Sequence, residues 1–304
     1  MPEFALVTYD EEKLKCFHCG STQLYYWGEY AGIPYYKCKK CGRKFTAKDT
    51  WPRMKFEKKY IIEAITNYYN GMSTSKISQS FNDYHEIEVH KSTIWRWIIK
   101  YSNRVNKLTL TMHPRLSSVW VADETVIDVS GKKYWYWDII DEGTRFLIAT
   151  HFSRTRPIKD ATKLFSMAKE RSKTRPSLIL TDKMLSYQDA FNAVFYTNIA
   201  DNRVTHLTSE GFGSDTNINL IERFHSTIKQ RTKVMRDLKK PTTASVLLDG
   251  LINHYNFFLE HSTLDGKTPA QAAGIGLGIS NWGDLIDLTY KSPVVKKKVG
   301  LDGY

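Results

Sequence analysis

The feature that most limits how this chain can fold is the pair "CFHC" at 16–19 and "CKKC" at 38–41, which hold every cysteine in its 304 residues. Two C-x2-C pairs with residues 20–37 between them supply four thiolates, the ligand number of a tetrahedral structural zinc. Glycine follows each pair (Gly20 and Gly42) and lets the backbone turn tightly beneath a metal. The intervening "QLYYWGEYAGIPYYKC" reads as a short aromatic β-hairpin. The pattern predicts a zinc ribbon. Two disulfides or a redox pair are the other reading, but no βαβ context follows either C-x-x-C. His18 lies inside the first pair, yet four thiolates already complete the shell. One Zn²⁺ on Cys16, Cys19, Cys38 and Cys41 is therefore expected to be structural, because a closed shell leaves no open coordination position. Cysteines clustered in this way suit a reducing compartment rather than secretion.

The formal net charge is +12 and the sequence pI about 9.3, which favours a polyanionic partner through counterion release. Residues 1–60 alone carry twelve Lys and Arg against seven Asp and Glu. No apolar stretch is long enough to cross a bilayer, and "MPEFALVTYDEEKLK" has no basic-then-apolar leader pattern. A cytoplasmic protein with no membrane partner is expected.

After the cysteines the pattern turns helical. Apolar residues recur at helical spacing through Tyr60, Ile61, Ala64, Ile65 and Tyr68 until Gly71 stops the run. "STSKISQSF" opens on Ser/Thr caps, and "KSTIWRWIIKY" opens at Ser92 as a further cap. Three short helices match a helix-turn-helix, whose last helix enters the major groove. Ile94, Trp95, Ile98 and Ile99 form the expected core face, and Lys91, Thr93, Arg96 and Lys100 the face toward DNA. A generic three-helix bundle is the alternative. "NRVNKLTLTMHPRLS" at 103–117 loses periodicity and contains a proline, which places a boundary there.

From residue 118 the chain reads as strands. "SVWVADETVIDVSGKKYWYWDIID" has two β-rich runs joined at "SGKK", and "TRFLIATHFSR" gives a third. A helix over 158–173, the apolar strand "LILT", a helix over 187–195 and the strand "RVTHLT" follow. "TNINLIERFHSTIKQRTKVMRDL" then reads as a long basic helix and "TASVLLDGLINHYNFFLEH" as a final one. This order predicts an α/β fold, a mixed sheet flanked by helices. Two strand ends carry an acid, Asp123 after "VWVA" and Asp182 after "LILT". Acids are poor strand residues and at strand ends they commonly face a cleft. Glu222 in the long helix shares a face with His225 and Lys229, beside a ridge of Leu220, Phe224 and Ile228. Gathered carboxylates select hard cations, Mg²⁺ or Mn²⁺. Strand alternation predicts that Asp123 and its neighbour Glu124 point to opposite faces and cannot serve one site.

At these residues the sequence resembles the DDE-type transposases of prokaryotic insertion sequences, specifically the insertion-sequence-six family. The matching words are "DET" at 123–125 with "GKKYWYWDIID" at 131–141, "TDK" at 181–183 with Tyr187, and "NLIERFHSTIKQRTKVMR" at 219–236. The late "HSTLDGKTPAQAAGI" is similar to the C-terminal end of integrase-type catalytic domains. The resemblance implies a ribonuclease-H-like core in which Asp123, Asp182 and Glu222 bind two Mg²⁺ (or Mn²⁺) ions. It further implies cleavage at transposon ends and attack of the freed 3′-OH on target DNA, with Lys229 touching DNA near the cut. Arg223, Arg231, Lys233 and Arg236 are expected to track the DNA backbone. The segment between Asp182 and Glu222 is longer than the family's compact pattern, with the extra length in "LTSEGFGSDTN", so Glu210 and Asp215 stand as alternatives for the third acid. The partners implied are double-stranded transposon ends and target DNA in a nucleoid-associated homodimer or larger assembly. The expected organisation is a zinc ribbon over 1–52, a helix-turn-helix domain over 53–112, a catalytic domain over 113–278 and a basic tail over 279–304. A DNA-binding regulator with a decayed core, or a ribonuclease-H-like nuclease without joining activity, are the competing functions.

Overall fold

In the computed structural model, residues 14–16, 18–30, 33–46, 49–52, 54–208, 219–234, 238–276 and 278–292 are described. Strands β1 (Leu24–Tyr30), β2 (Ile33–Cys38) and β3 (Lys44–Thr46) form a small antiparallel sheet in the order β1-β2-β3. A bulge between Tyr26 and Gly28 bends β1. The backbone amides of Gly20 and Gly42 each donate back to the first cysteine of their pair, Cys16 and Cys38, and both glycines take positive φ, which a side chain disfavours. The sequence sets this unit locally.

Helices α1 (Lys58–Tyr69), α2 (Thr74–His85) and α3 (Lys91–Thr109) follow. Ser73 caps α2 by accepting from the Lys76 amide. The cap of α3 is His90 rather than Ser92: its side chain accepts from the Ser92 amide, so the helix starts two residues earlier than the Ser signal suggested. Its buried face also differs from the expected one. Ile94 and Ile98 are buried as predicted, but Trp97 and Tyr101 complete the stripe while Trp95 and Ile99 are half-buried. The expected break at 103 is absent. α3 runs on to Thr109 because its second half has tertiary partners that periodicity alone does not show. Asn106 donates to Asp249 at 2.9 Å, Thr109 donates to Asn253 at 2.7 Å, and Arg104 bonds the Thr289 hydroxyl and carbonyl. At ~1.5 Å per residue such a helix is a strut roughly 28 Å long from the helical unit into the core.

The second sheet has the order β6-β5-β4-β7-β8, from β4 (Val119–Val129), β5 (Lys132–Asp141), β6 (Leu147–Ser153), β7 (Leu178–Thr181) and β8 (Thr205–Thr208). The first three strands are antiparallel, whereas β7 and β8 run parallel to β4. This is the ribonuclease-H-like mixed sheet expected from the sequence. Alternation along β4 and β5 sorts the two cores. Trp120, Ala122, Trp137 and Ile139 pack with α4 (Ile158–Ser172) and α5 (Leu185–Phe195) on one face. Val121, Ile127, Tyr136 and Ile140 pack on the other with α6 (Asn219–Val234) and α7 (Pro241–Phe258). The aromatic run therefore splits unevenly: Tyr134, Tyr136 and Trp137 are buried and Trp135 half-buried.

The basic tail expected after 278 is instead, over its first half, part of the fold. After the short α8 (Pro269–Ala272), helix α9 (Trp282–Lys291) buries Trp282, Leu285 and Ile286 against α1 and α3. Asn281 and Asp284 form a reciprocal capping box at its start. Residues 293–304 lie outside the described residues. No helix of the described residues is long and apolar enough to cross a membrane.

Candidate active site

β7 pairs with β4 only up to Leu180 opposite Val121. Two residues further on each strand bring Asp182, just past the end of β7, level with Asp123. Asp123 does not end its strand as the sequence suggested: β4 runs on to Val129 paired with β5, and only its β7 neighbour stops here, the chain passing from β7 toward β8 on the other side. Such a switch point at the carboxyl ends of parallel strands opens a crevice that ligands occupy. Asp123 and Asp182 meet there.

The third acid of the cluster is Glu124. One carboxylate oxygen each of Asp123, Glu124 and Asp182 lies within 4.8 Å of the others. Glu124 thus stands beside the cluster although strand alternation predicts that it points to the other face. The backbone alternates as expected, and Glu124 meets Tyr187 of α5 on the opposite face from Asp123. But β4 has lost its β7 neighbour at this level, so the longer Glu side chain reaches round the open edge. An octahedral Mg²⁺ with ligands at ~2.1 Å spans about 4.2 Å between opposite oxygens, so the Asp123 and Asp182 carboxylates stand close enough to share a hard cation.

On the α6 side, Asp123 stands directly across from Asp138 of β5. His225 of α6 fills the space between, with Nε2 2.8 Å from the Asp138 carboxylate and Nδ1 3.4 Å from that of Asp123. Burial acts to lower the His225 pKa, but Asp138 and then Asp123 outweigh it and the ring is raised above its ordinary value. Burial likewise pushes the Asp123 carboxyl up to about 7, against the pull of His225. When protonated, the ring would supply part of the positive charge the site requires. Asp138 and His225 were not singled out from the sequence for a role here. The available signal was an acid inside the buried strand "YWYWDII", where an unpaired carboxylate is costly.

Glu222 is half-buried on α6, one turn before His225, and forms no hydrogen bond or ion pair among the described residues. Its alternatives Glu210 and Asp215 lie outside the described residues. Of the basic positions on α6, Arg223 and Lys229 are exposed. Arg231 is half-buried, with its guanidinium packed on Gly71 in the turn between α1 and α2, where φ of +106° and this close approach both require glycine. Arg231 therefore holds the helical unit to the core in place of an open DNA-facing position. The side chain of Lys233 and all of Arg236 lie outside the described residues. On α3, Lys91, Arg96 and Lys100 are exposed and Thr93 is half-buried.

The four thiols converge as well. Sγ of Cys16 is 3.6 Å from that of Cys41, Sγ of Cys19 is 3.6 Å from that of Cys38, and all four lie within 4.8 Å of one another. A tetrahedron with Zn–S arms of 2.3 Å has edges of about 3.8 Å, so the donors fit zinc. Burial pushes the Cys16 thiol up to about 12. It acts the same way on Cys38, where hydrogen bonds from the Cys41 amide and neighbouring thiols prevail and hold it at about 6.

Residues 117–261 match the family model described as a DDE domain. The chain carries a DDE transposase domain, of the polynucleotidyl-transferase type. No curated protein matches the sequence. Among solved structures, the human T-cell lymphotropic virus 2 integrase catalytic core domain, in complex with magnesium, is 17% identical at a TM-score of 0.39, covering 53% of this chain and 97% of that one. A simian T-cell lymphotropic virus intasome in complex with a PP2A regulatory subunit is 16% identical at 0.39, covering 69% and 73%.

Proposed function

We propose that the protein binds the ends of an insertion sequence and catalyses metal-dependent strand cleavage followed by 3′-OH strand transfer into target DNA. The observation that carries this reading is the convergence of Asp123, within β4, and Asp182, just past the end of the parallel strand β7, inside a DDE domain. Asp123, Asp182 and Glu222 are the residues that would hold a pair of Mg²⁺ or Mn²⁺ ions. When bound, such a pair supplies Lewis acidity that favours in-line attack and stabilises the leaving oxygen. His225 orients the Asp123 carboxylate, and Asp138 orients His225 in turn. Glu222, one turn from His225 on α6, would join the two aspartates as the third acid. Water attacks at the transposon end and frees a 3′-OH; that hydroxyl then attacks a target phosphodiester. The chain's part is positioning and charge neutralisation.

The first turns of α3, with exposed Lys91, Arg96 and Lys100 and with Thr93 beside them, would enter a major groove as the last helix of a helix-turn-helix. Arg223 and Lys229 would meet phosphates near the cut, and zinc would hold the ribbon against DNA. Bringing two ends together calls for a homodimer or larger assembly. A strand-transfer assay with end-containing oligonucleotides and Mg²⁺ tests the reading. Joined product from the wild type and none from Asp123→Asn is expected. Joining by Asp123→Asn would overturn the metal assignment, cleavage without joining would indicate a nuclease, and binding without either a regulator.

A further inference from the structure

Arg156, in the connection between β6 and α4, reaches back over the sheet to the acid cluster. Its guanidinium carbon sits 4.5 Å from the centre of the Trp135 ring, a cation–π contact that fixes the direction of the side chain. From there Nη2 forms an ion pair with Glu124 and lies 4.0 Å from the Asp182 carboxylate. Glu124 is fully engaged in holding it. One of its oxygens meets Arg156, the other accepts from the Tyr187 hydroxyl at 2.7 Å, and its side chain is only 3% exposed. Tyr187 is itself buried in the α4–α5 core, so the clamp is anchored on fixed packing. Nothing in the strand-transfer chemistry assigns a part to Arg156.

We propose that Arg156 is the protein's own counter-ion for the acid cluster: clamped by Glu124 and stacked on Trp135, it neutralises Asp182 and competes with the divalent cation for it. Glu124 on this view is a positioning residue for Arg156. The inference rests on the reading that Asp123 and Asp182 hold metal. Two carboxylates and a third at the same strand end repel one another in a partly buried crevice, and a guanidinium at 4.0 Å offsets that repulsion. The same charge opposes an incoming cation. Loading then requires Arg156 to swing away from Asp182, which its position at the exposed rim allows.

The test is Mn²⁺ binding to the full chain without DNA, read by electron paramagnetic resonance of the free ion. Arg156→Gln and Arg156→Met, whose unbranched stems can still lie on Trp135, should each bind Mn²⁺ roughly ten-fold more tightly than wild type, while Arg156→Lys stays within about three-fold. Two neutral variants guard against one failing to fold, and melting in EDTA checks both. Folded neutral variants that bind Mn²⁺ no more tightly than wild type overturn the role of Arg156. Failure of the underlying reading looks different: wild type takes up no Mn²⁺ at the core, or Asp123→Asn binds it as well as wild type.

Discussion

The four thiols of the ribbon come from two turns of one small sheet within 26 positions of sequence, 16–41, whereas the three converging carboxylates of the core come from β4 and from the end of β7, some 60 positions apart. In the ribbon no cation among the described residues pairs with the sulfurs, and the donors close a shell. In the core, His225 and Arg156 intrude from α6 and from the β6–α4 connection, and the donors stand at an open strand edge. The difference teaches what each cluster is built for. A closed shell of soft donors secures a fold by holding its ion permanently. An open set of hard donors, carrying its own counter-charges, stays folded without an ion and leaves room for a substrate phosphate.

That contrast breaks most readily at the ribbon. Cys38→Ser should unfold the 24–46 sheet, forfeiting zinc binding that is on the order of 10 kcal/mol in small zinc domains, and leave the second sheet intact. Amide hydrogen exchange would show protection lost over the ribbon alone; unchanged protection after chelation would show that the cysteines do not hold its fold. The next effect is on chemistry. Asp182→Asn and Glu222→Gln should each lower strand transfer by about 10³-fold, and Glu124→Gln by no more than about ten-fold. Equal losses for Glu124→Gln and Asp182→Asn would move Glu124 into the metal shell and Arg156 out of its role.

A smaller effect concerns the core's internal charges. His225→Ala leaves the buried Asp138 without its ion-pair partner, and should cost roughly 3 kcal/mol in urea unfolding of the metal-free protein. No loss of stability would mean that Asp138 is neutral and His225 a spectator. The smallest effect is a pH slope at Asp249, away from both clusters. Burial raises its carboxyl from 3.8 to about 7, with Arg171 pulling the other way. The folded chain therefore keeps a proton that the unfolded chain has lost, and stability falls as pH rises from about 4 to about 7. Asp249→Asn should flatten that slope of up to about 1.4 kcal/mol per pH unit, so that its gain over wild type is small at pH 4 and fully present at pH 8. An unchanged slope would assign it to other groups, His225 first.

Legibility followed the same division. Residues whose meaning lies within one turn or one hairpin could be read directly: the C-x2-C pairs, the Ser73 cap, and Asp182 at the end of its strand, whereas Asp123 stands inside β4 because pairing with β5 carries that strand on to Val129. α9 was also within reach, since "NWGD" is a capping box followed by Leu285 and Ile286, but a lysine-rich run just beyond drew the reading toward a tail. The second half of α3 was not, because its hydrogen bonds go to α7 and α9, far along the chain.

The sequence by itself determined the ribbon, the order of strands and helices, and the two acids that follow apolar strand runs, because capping, alternation and metal-ligand spacing act over a few residues. Tertiary structure alone decided the rest: Asp138 faces Asp123 through cross-strand register, His225 bridges them through helix packing, and Glu124 turns toward Asp182 because β7 ends where it does. Those relations depend on where distant segments stop and meet, and no local preference in the chain encodes them.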